Sequence, residues 1–136
     1  MSKRMRDAIW SGDIDTLAAV ISEGEDSNAL DERSGWTGLM LAAENDQPRA
    51  IEVLLASGAD PRYARGDGWT ALHHAVDSEC DSQSQGVEPA TGRLVSPLVA
   101  AGADPDAMWH DGSVDQSPRM IATRYGFEAI ISALRK

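Results

Sequence analysis

The sequence predicts an all-α solenoid of about four helix-turn-helix repeats, with short hairpin fingers and an insertion in the third repeat. Three observations predict it. The segment Gly35-Trp36-Thr37-Gly38-Leu39-Met40-Leu41-Ala42-Ala43 returns 33 residues on as Gly68-Trp69-Thr70-Ala71-Leu72-His73-His74-Ala75-Val76. The segment Val53-Leu54-Leu55-Ala56-Ser57-Gly58-Ala59-Asp60-Pro61 returns 44 residues on as Pro97-Leu98-Val99-Ala100-Ala101-Gly102-Ala103-Asp104-Pro105, one such period plus 11. Fainter copies flank both: Gly12, Leu17, Val20, Ile21 and Gly24 before them, and Ser117, Pro118, Gly126, Ile130 and Leu134 after them. A fixed period of this size marks helical units too small to bury their own apolar faces, which become stable by stacking.

The whole chain, 1–136, reads as one domain with repeats at about 5–31, 32–64, 65–108 and 109–136. The first repeat opens directly on a helix near Met5, without a finger before it, and the last ends at Leu134 without Gly-Ala-Asp; both read as caps. In the second, the Thr37 hydroxyl suits a helix N-cap. Ala42 and Ala43 are small enough for close helix packing. Ile51, Leu54 and Leu55 form an i, i+3, i+4 stripe, and Gly58, like Gly24 and Gly102, suits a left-handed C-terminal cap.

In the third repeat Thr70 takes the capping place and Ala75 the small one. Eleven extra residues then enter somewhere within 80–92, a polar, turn-rich stretch that reads as a loop. Long loops cost little entropy, so deletion of 82–90 is expected to leave the fold intact. Pro97 stands where the second repeat has Val53, so that helix should start late, near Ser96 and Pro97, or kink. In the fourth repeat three residues enter the finger around 113–116, Ser117 caps, and Pro118 sits at the first helical position, where its missing N–H is harmless. Arg119 replaces the expected Leu.

These motifs resemble the ankyrin repeat, whose pattern is roughly G-x-T-P-L-H-x-A-A-x-x-G, an apolar helix, then L-L-x-x-G-A-D. Gly-Trp-Thr-Ala-Leu-His at 68–73 and Leu-Leu-Ala-Ser-Gly-Ala-Asp at 54–60 are close copies, and the likeness spans about 5–134. The resemblance implies an inter-finger hydrogen bond from His73 and a concave face, lined by fingers and first-helix ends, that binds another protein. Transferred by position, that face holds Trp10 and Ser11, Glu44 and Asn45, Asp77 and Ser78, and Arg124 and Tyr125. The fingers add Arg33, Ser34, Trp36, Gly66, Asp67, Trp69 and Trp109. Glu79 and Asp81 join from the neighbouring acidic stretch. The finger tryptophans read as interface anchors; the alternative is that they shield finger backbone.

Charge sharpens the expected partner. The chain has 136 residues and a formal net charge of −10. Residues 66–118 hold nine acids (Asp67, Asp77, Glu79, Asp81, Glu88, Asp104, Asp106, Asp111, Asp115) against the single base Arg93. Basic residues gather at the ends, as Lys3, Arg4 and Arg6 and as Arg119, Arg124, Arg135 and Lys136. Such a surface repels phosphate, which argues against nucleic acid and anionic membrane, and steers a basic protein.

Catalytic and metal chemistry find little support. His74, Asp77 and Asp81 with nearby Cys80 do not match a zinc-site spacing. Cys80 has no basic residue within a dozen positions to lower its pKa, and no glycine-rich phosphate cradle occurs. No catalytic residue, metal or cofactor is therefore expected. Without a secretory signal, and with a single cysteine, a cytoplasmic monomer is expected. The reading is a non-enzymatic protein–protein interaction module that binds its partner through an acidic concave face and fingers. The alternative is an immunity or inhibitor protein blocking a basic bacterial toxin or enzyme, since small acidic ankyrin-like antitoxins with a loop in the penultimate repeat look similar.

Overall fold

A computed structural model describes residues 1–110 and 112–135. Asp111 of the acidic stretch and Lys136 of the basic terminus lie outside the described residues. Among the described residues, eight helices form four successive pairs: α1 (Lys3–Ser11) with α2 (Ile14–Ser22), α3 (Gly38–Glu44) with α4 (Pro48–Ala56), α5 (Ala71–Ser84) with α6 (Val95–Ala100), and α7 (Pro118–Tyr125) with α8 (Glu128–Ala133). A small hairpin, β1 (Trp109–His110) and β2 (Asp115–Gln116), precedes α7. The first helices stack in the order α1, α3, α5, α7, and the second helices α2, α4, α6, α8 stack behind them. Each pair covers the apolar face of the next, as a helical-repeat solenoid requires.

Local chemistry places the helix ends. Thr37 Oγ1 accepts the Met40 N–H at 3.2 Å and Ser117 Oγ accepts that of Met120 at 3.1 Å. Ser2 Oγ does the same for Met5, so α1 begins at Lys3. These caps satisfy N–H groups that a helix start leaves without partners. Gly24, Gly58 and Gly102 take φ of 108°, 94° and 106°, the left-handed conformation expected of them.

The core is continuous from Met5 and Ile9 through Leu39, Leu54, Leu72 and Leu98 to Ile130 and Leu134. Ala42, Ala43 and Ala75 are fully buried where adjacent first helices meet.

The insertion differs from its expected form. Residues 80–84 continue α5, making it 14 residues against seven in α3. Gly86 at φ 72° follows its end, and the connection proper is 85–94. Helix persists here because Cys80 is buried and the Gln85 amide bonds Asp81 one turn back at 2.9 Å. The connection is also fastened: Gln83 Oε1 accepts the Ala90 N–H at 2.7 Å, and Arg93 makes a bidentate pair with Asp46 at 2.8 and 2.9 Å. The stretch expected to be loop is thus helical over 82–84, with Ala90 buried beyond it.

Pro97 falls third in the six-residue α6, where its missing N–H has no intrahelical bond to lose. The extra finger residues turn a single bridge, as at Leu30 and Thr37 or Ala64 and Thr70, into a paired hairpin with Trp109 opposite Gln116 and His110 opposite Asp115.

Candidate functional site

The fingers meet the first helices through a histidine–tryptophan cluster. Thr70 caps α5 and His73 closes the box: Nδ1 accepts the Thr70 N–H at 3.1 Å. With Nδ1 accepting, the proton lies on Nε2, which donates to the Gln116 carbonyl at 3.1 Å. That is the inter-finger bond the repeat pattern implies. Burial pushes His73 down to about 4, helped by His74 and opposed by the Gln116 and Ala107 carbonyls.

Trp69 stacks over His73 at 4.8 Å and meets the edges of His74 and Trp109 at 5.4 and 4.6 Å. Trp36 packs edge-on to His74 at 4.4 Å. The three finger tryptophans are thus half-buried cement between finger and helix, not freely projecting anchors. The Trp36 and Trp69 rings bury onto the imidazoles because those imidazoles open α5 directly beneath the fingers, and Trp109 buries onto Trp69. Trp10, by contrast, is 62% exposed.

Asp67 is the knot of the second finger, the one that opens the third repeat. Its carboxylate accepts from Arg65 Nε and Nη2 at 3.2 and 2.7 Å, from the Trp69 N–H at 3.1 Å, and from the Trp109 indole at 3.1 Å. The Arg65 bonds lead in holding it at about 2. Its carbonyl accepts the His110 N–H at 2.8 Å. Gly68 beside it, at φ 91°, has no room for a Cβ, which would meet the Met108 carbonyl. Asp67 and Trp109 therefore hold two fingers together.

The helix ends carry the open charge. Asp77 and Asp81 lie one turn apart on α5, and Asp77 feels the charge of Glu44 at the end of α3. Desolvation first, then Asp81 and Glu44, raise the Asp77 carboxyl above its ordinary value, while His74 and Arg124 pull the other way. Glu44 is lowered by its 3.1 Å bond to His74. Neither Asp77 nor Asp81 makes an ion pair among the described residues. Tyr125 lies alongside, its hydroxyl raised by burial and then by Asp77 and Asp81. Arg124 is exposed and Ser78 half-buried. The Asn45 amide turns back to the Leu41 carbonyl at 2.8 Å. Arg33 and Ser34 lie far from this group, on the first finger, where Ser34 bonds Asp31.

Glu79 is a correction. Expected on the partner-facing surface, it is fully buried. One oxygen accepts the N–H groups of Thr91 and Gly92 at 3.1 and 2.7 Å; the other accepts those of Leu94 and Val95, both at 3.0 Å. Arg93 Nη1 stands 3.5 Å away. Glu79 thus caps α6 from a neighbouring helix. The face of α5 explains it: Glu79 sits three residues past Val76 and four past Ala75, on the side turned to the core. It cannot steer a partner.

Cys80 is buried next to it, and desolvation, then Glu79 and Asp77, push its thiol up to about 12, so it stays protonated. No group of three or more His, Cys, Asp or Glu among the described residues is placed to hold a metal ion. No helix of the described residues is long and apolar enough to cross a membrane.

The stacked pairs, knotted fingers and exposed helix ends define a helical-repeat scaffold that presents a recognition surface. A family model of ankyrin repeats in three copies matches residues 5–88, more than half of the chain. The chain belongs to the ankyrin-repeat family. It is 38% identical over 75 residues to the mitochondrial disaggregase of Bos taurus, covering 55% of this chain and 11% of that protein. It is 34% identical over 77 residues to human M-phase phosphoprotein 8, covering 56% and 9%. Against the neurogenic locus Notch protein of Drosophila melanogaster it is 31% identical over 124 residues, covering 88% and 4%. The chain thus matches a small part of the length of these relatives. Ankyrin repeats are general protein–protein interaction modules, and the family is typically non-enzymatic.

Proposed function

We propose that this chain binds a basic partner protein through the acidic end of its first-helix face, at Glu44, Asp77 and Asp81, with Tyr125 as the adjoining aromatic contact. The observation that carries it is that Asp77 and Asp81 stand exposed one turn apart on α5 with no ion-pair partner among the described residues; burial first, and then the Asp81 and Glu44 charges, leaves Asp77 harder to ionise. A Lys or Arg side chain from a partner relieves that repulsion. The chain's −10 charge draws such a partner in. The narrower reading, an immunity or inhibitor protein that blocks a basic enzyme, rests on the same charge and predicts loss of the partner's activity on binding.

Surface plasmon resonance on the captured partner tests the reading. Exchanging Asp77 and Asp81 together for Lys should slow association about tenfold at low salt, with dissociation little changed, because exposed charges act mainly through steering. Raising salt should bring wild type and variant together. Trp69→Ala is the wrong probe, since it strips packing from His73, His74 and Trp109; Tyr125→Ala, expected to speed dissociation, replaces it. Kinetics indifferent to both salt and charge reversal would remove the acidic end as the site.

A further inference from the structure

A second surface, of opposite character, lies at the other end of the molecule. Between α1, the first finger and the start of α3 is a groove with a cavity volume of about 490 Å³. That is the size of a site for one large side chain and the backbone around it. Lys3, Arg6, Asp7 and Trp10 reach it from α1, spaced i, i+3, i+4 and i+7 on one helix face. Met5, Ala8 and Ile9 occupy the opposite face and pack into the core.

The groove is apolar at its base and cationic at its rim. Leu41 and the half-buried Trp36 lie along it, and Trp10 stands over it 62% exposed, the most exposed aromatic side chain among the described residues. One wall is rigid: Asp31, nearly buried, accepts from Arg6 at 3.3 Å and from the Ser34 hydroxyl at 2.8 Å. Arg6 and Asp31 thus neutralise each other. Lys3 and Arg33, both exposed and both lining the groove, make no ion pair with any described residue, against one such carboxylate, Asp7. This is a local cationic excess on a chain of net charge −10.

We propose that this groove takes an extended segment of a partner protein in which an Asp or Glu sits beside an aliphatic or aromatic side chain. The apolar side chain lies against Leu41 between Trp10 and Trp36, and the carboxylate meets Lys3 and Arg33. Charge complementarity selects this occupant: on the groove's rim two cations without an ion-pair partner among the described residues, Lys3 and Arg33, face a single such carboxylate, Asp7. The inference does not rest on the acidic end of the molecule, and its failure would leave that reading standing.

The test is an NMR titration of the full ¹⁵N-labelled chain with three capped synthetic peptides. The first carries two Glu flanking a Leu and a Phe; the second has Gln for Glu; the third has Lys for Glu. The first should shift the indole N–H resonances of Trp10 and Trp36 saturably, and the second should bind about tenfold more weakly, as expected when a paired charge is lost. Lys3→Glu with Arg33→Glu should remove the preference for the Glu peptide while the far-ultraviolet circular dichroism stays unchanged. Glu52→Lys, on the exposed side of α4, should leave binding as it is. No saturable shift at the two indoles, equal binding of the Glu and Gln peptides, or tighter binding of the Lys peptide to wild type would each overturn the proposal.

Discussion

Glu79→Ala should destabilise the chain by about 4 kcal/mol, the range for stripping a buried charge from its hydrogen-bonded partners. Four backbone N–H groups converge on that carboxylate, and Gly92, Leu94 and Val95 are buried, so water cannot replace it at those three. Arg93 would keep its bidentate pair with Asp46, so the loss belongs to the backbone of 91–95 rather than to the ion pair. Urea unfolding measures it. Glu79→Gln, which keeps one acceptor oxygen but turns an amide donor toward N–H groups, should fall between wild type and Ala. A change under about 1 kcal/mol for Glu79→Ala would mean that the connection does not depend on this cap.

The second large effect is on pH. Burial holds folded His73 near 4, against about 6.5 for the exposed side chain. The folded base is thus harder to protonate than the unfolded one. Between those values the unfolded chain binds more protons, so stability is fully present above pH 6.5 and falls as pH drops toward 4. The loss from His73 amounts to about 3 kcal/mol. Asp77, whose carboxyl is raised in the folded state, works in the opposite direction as pH falls through its higher folded value. Following the imidazole carbon resonances in the folded state separates the two. His73 should stay neutral down to about pH 4. Titration of its ring near 6.5 while folded would show that burial does not hold the neutral form.

Much of the scaffold is legible because it is written in local chemistry that repeats. The hydroxyls at Thr37, Thr70 and Ser117, the glycines at 24, 58 and 102, and the His73 bond each depend on a few neighbouring residues, and a 33-residue period multiplies the signal. Glu79 is illegible for the converse reason. Its partners are backbone N–H groups 12 to 16 residues away, which carry no side-chain signature, and in a strongly acidic stretch it looks like one more solvated charge. The tryptophans align on the fingers and so read as outward-facing. What turns Trp36 and Trp69 inward is the pair of imidazoles at the start of α5, visible in the sequence but not placed by it. The groove at α1 escapes notice because opposite charges on one helix face resemble an ordinary soluble surface, and its other wall comes from the first finger.

The central claim, recognition of a basic protein by Glu44, Asp77 and Asp81, is tested most directly by paired affinity capture. Wild type and a Glu44→Lys, Asp77→Lys, Asp81→Lys variant of matched circular dichroism are exposed to the same host extract, and bound proteins are quantified by mass spectrometry. The account predicts a basic protein retained by wild type and lost from the variant. A partner held equally by both, or an acidic rather than a basic protein lost from the variant, would contradict it.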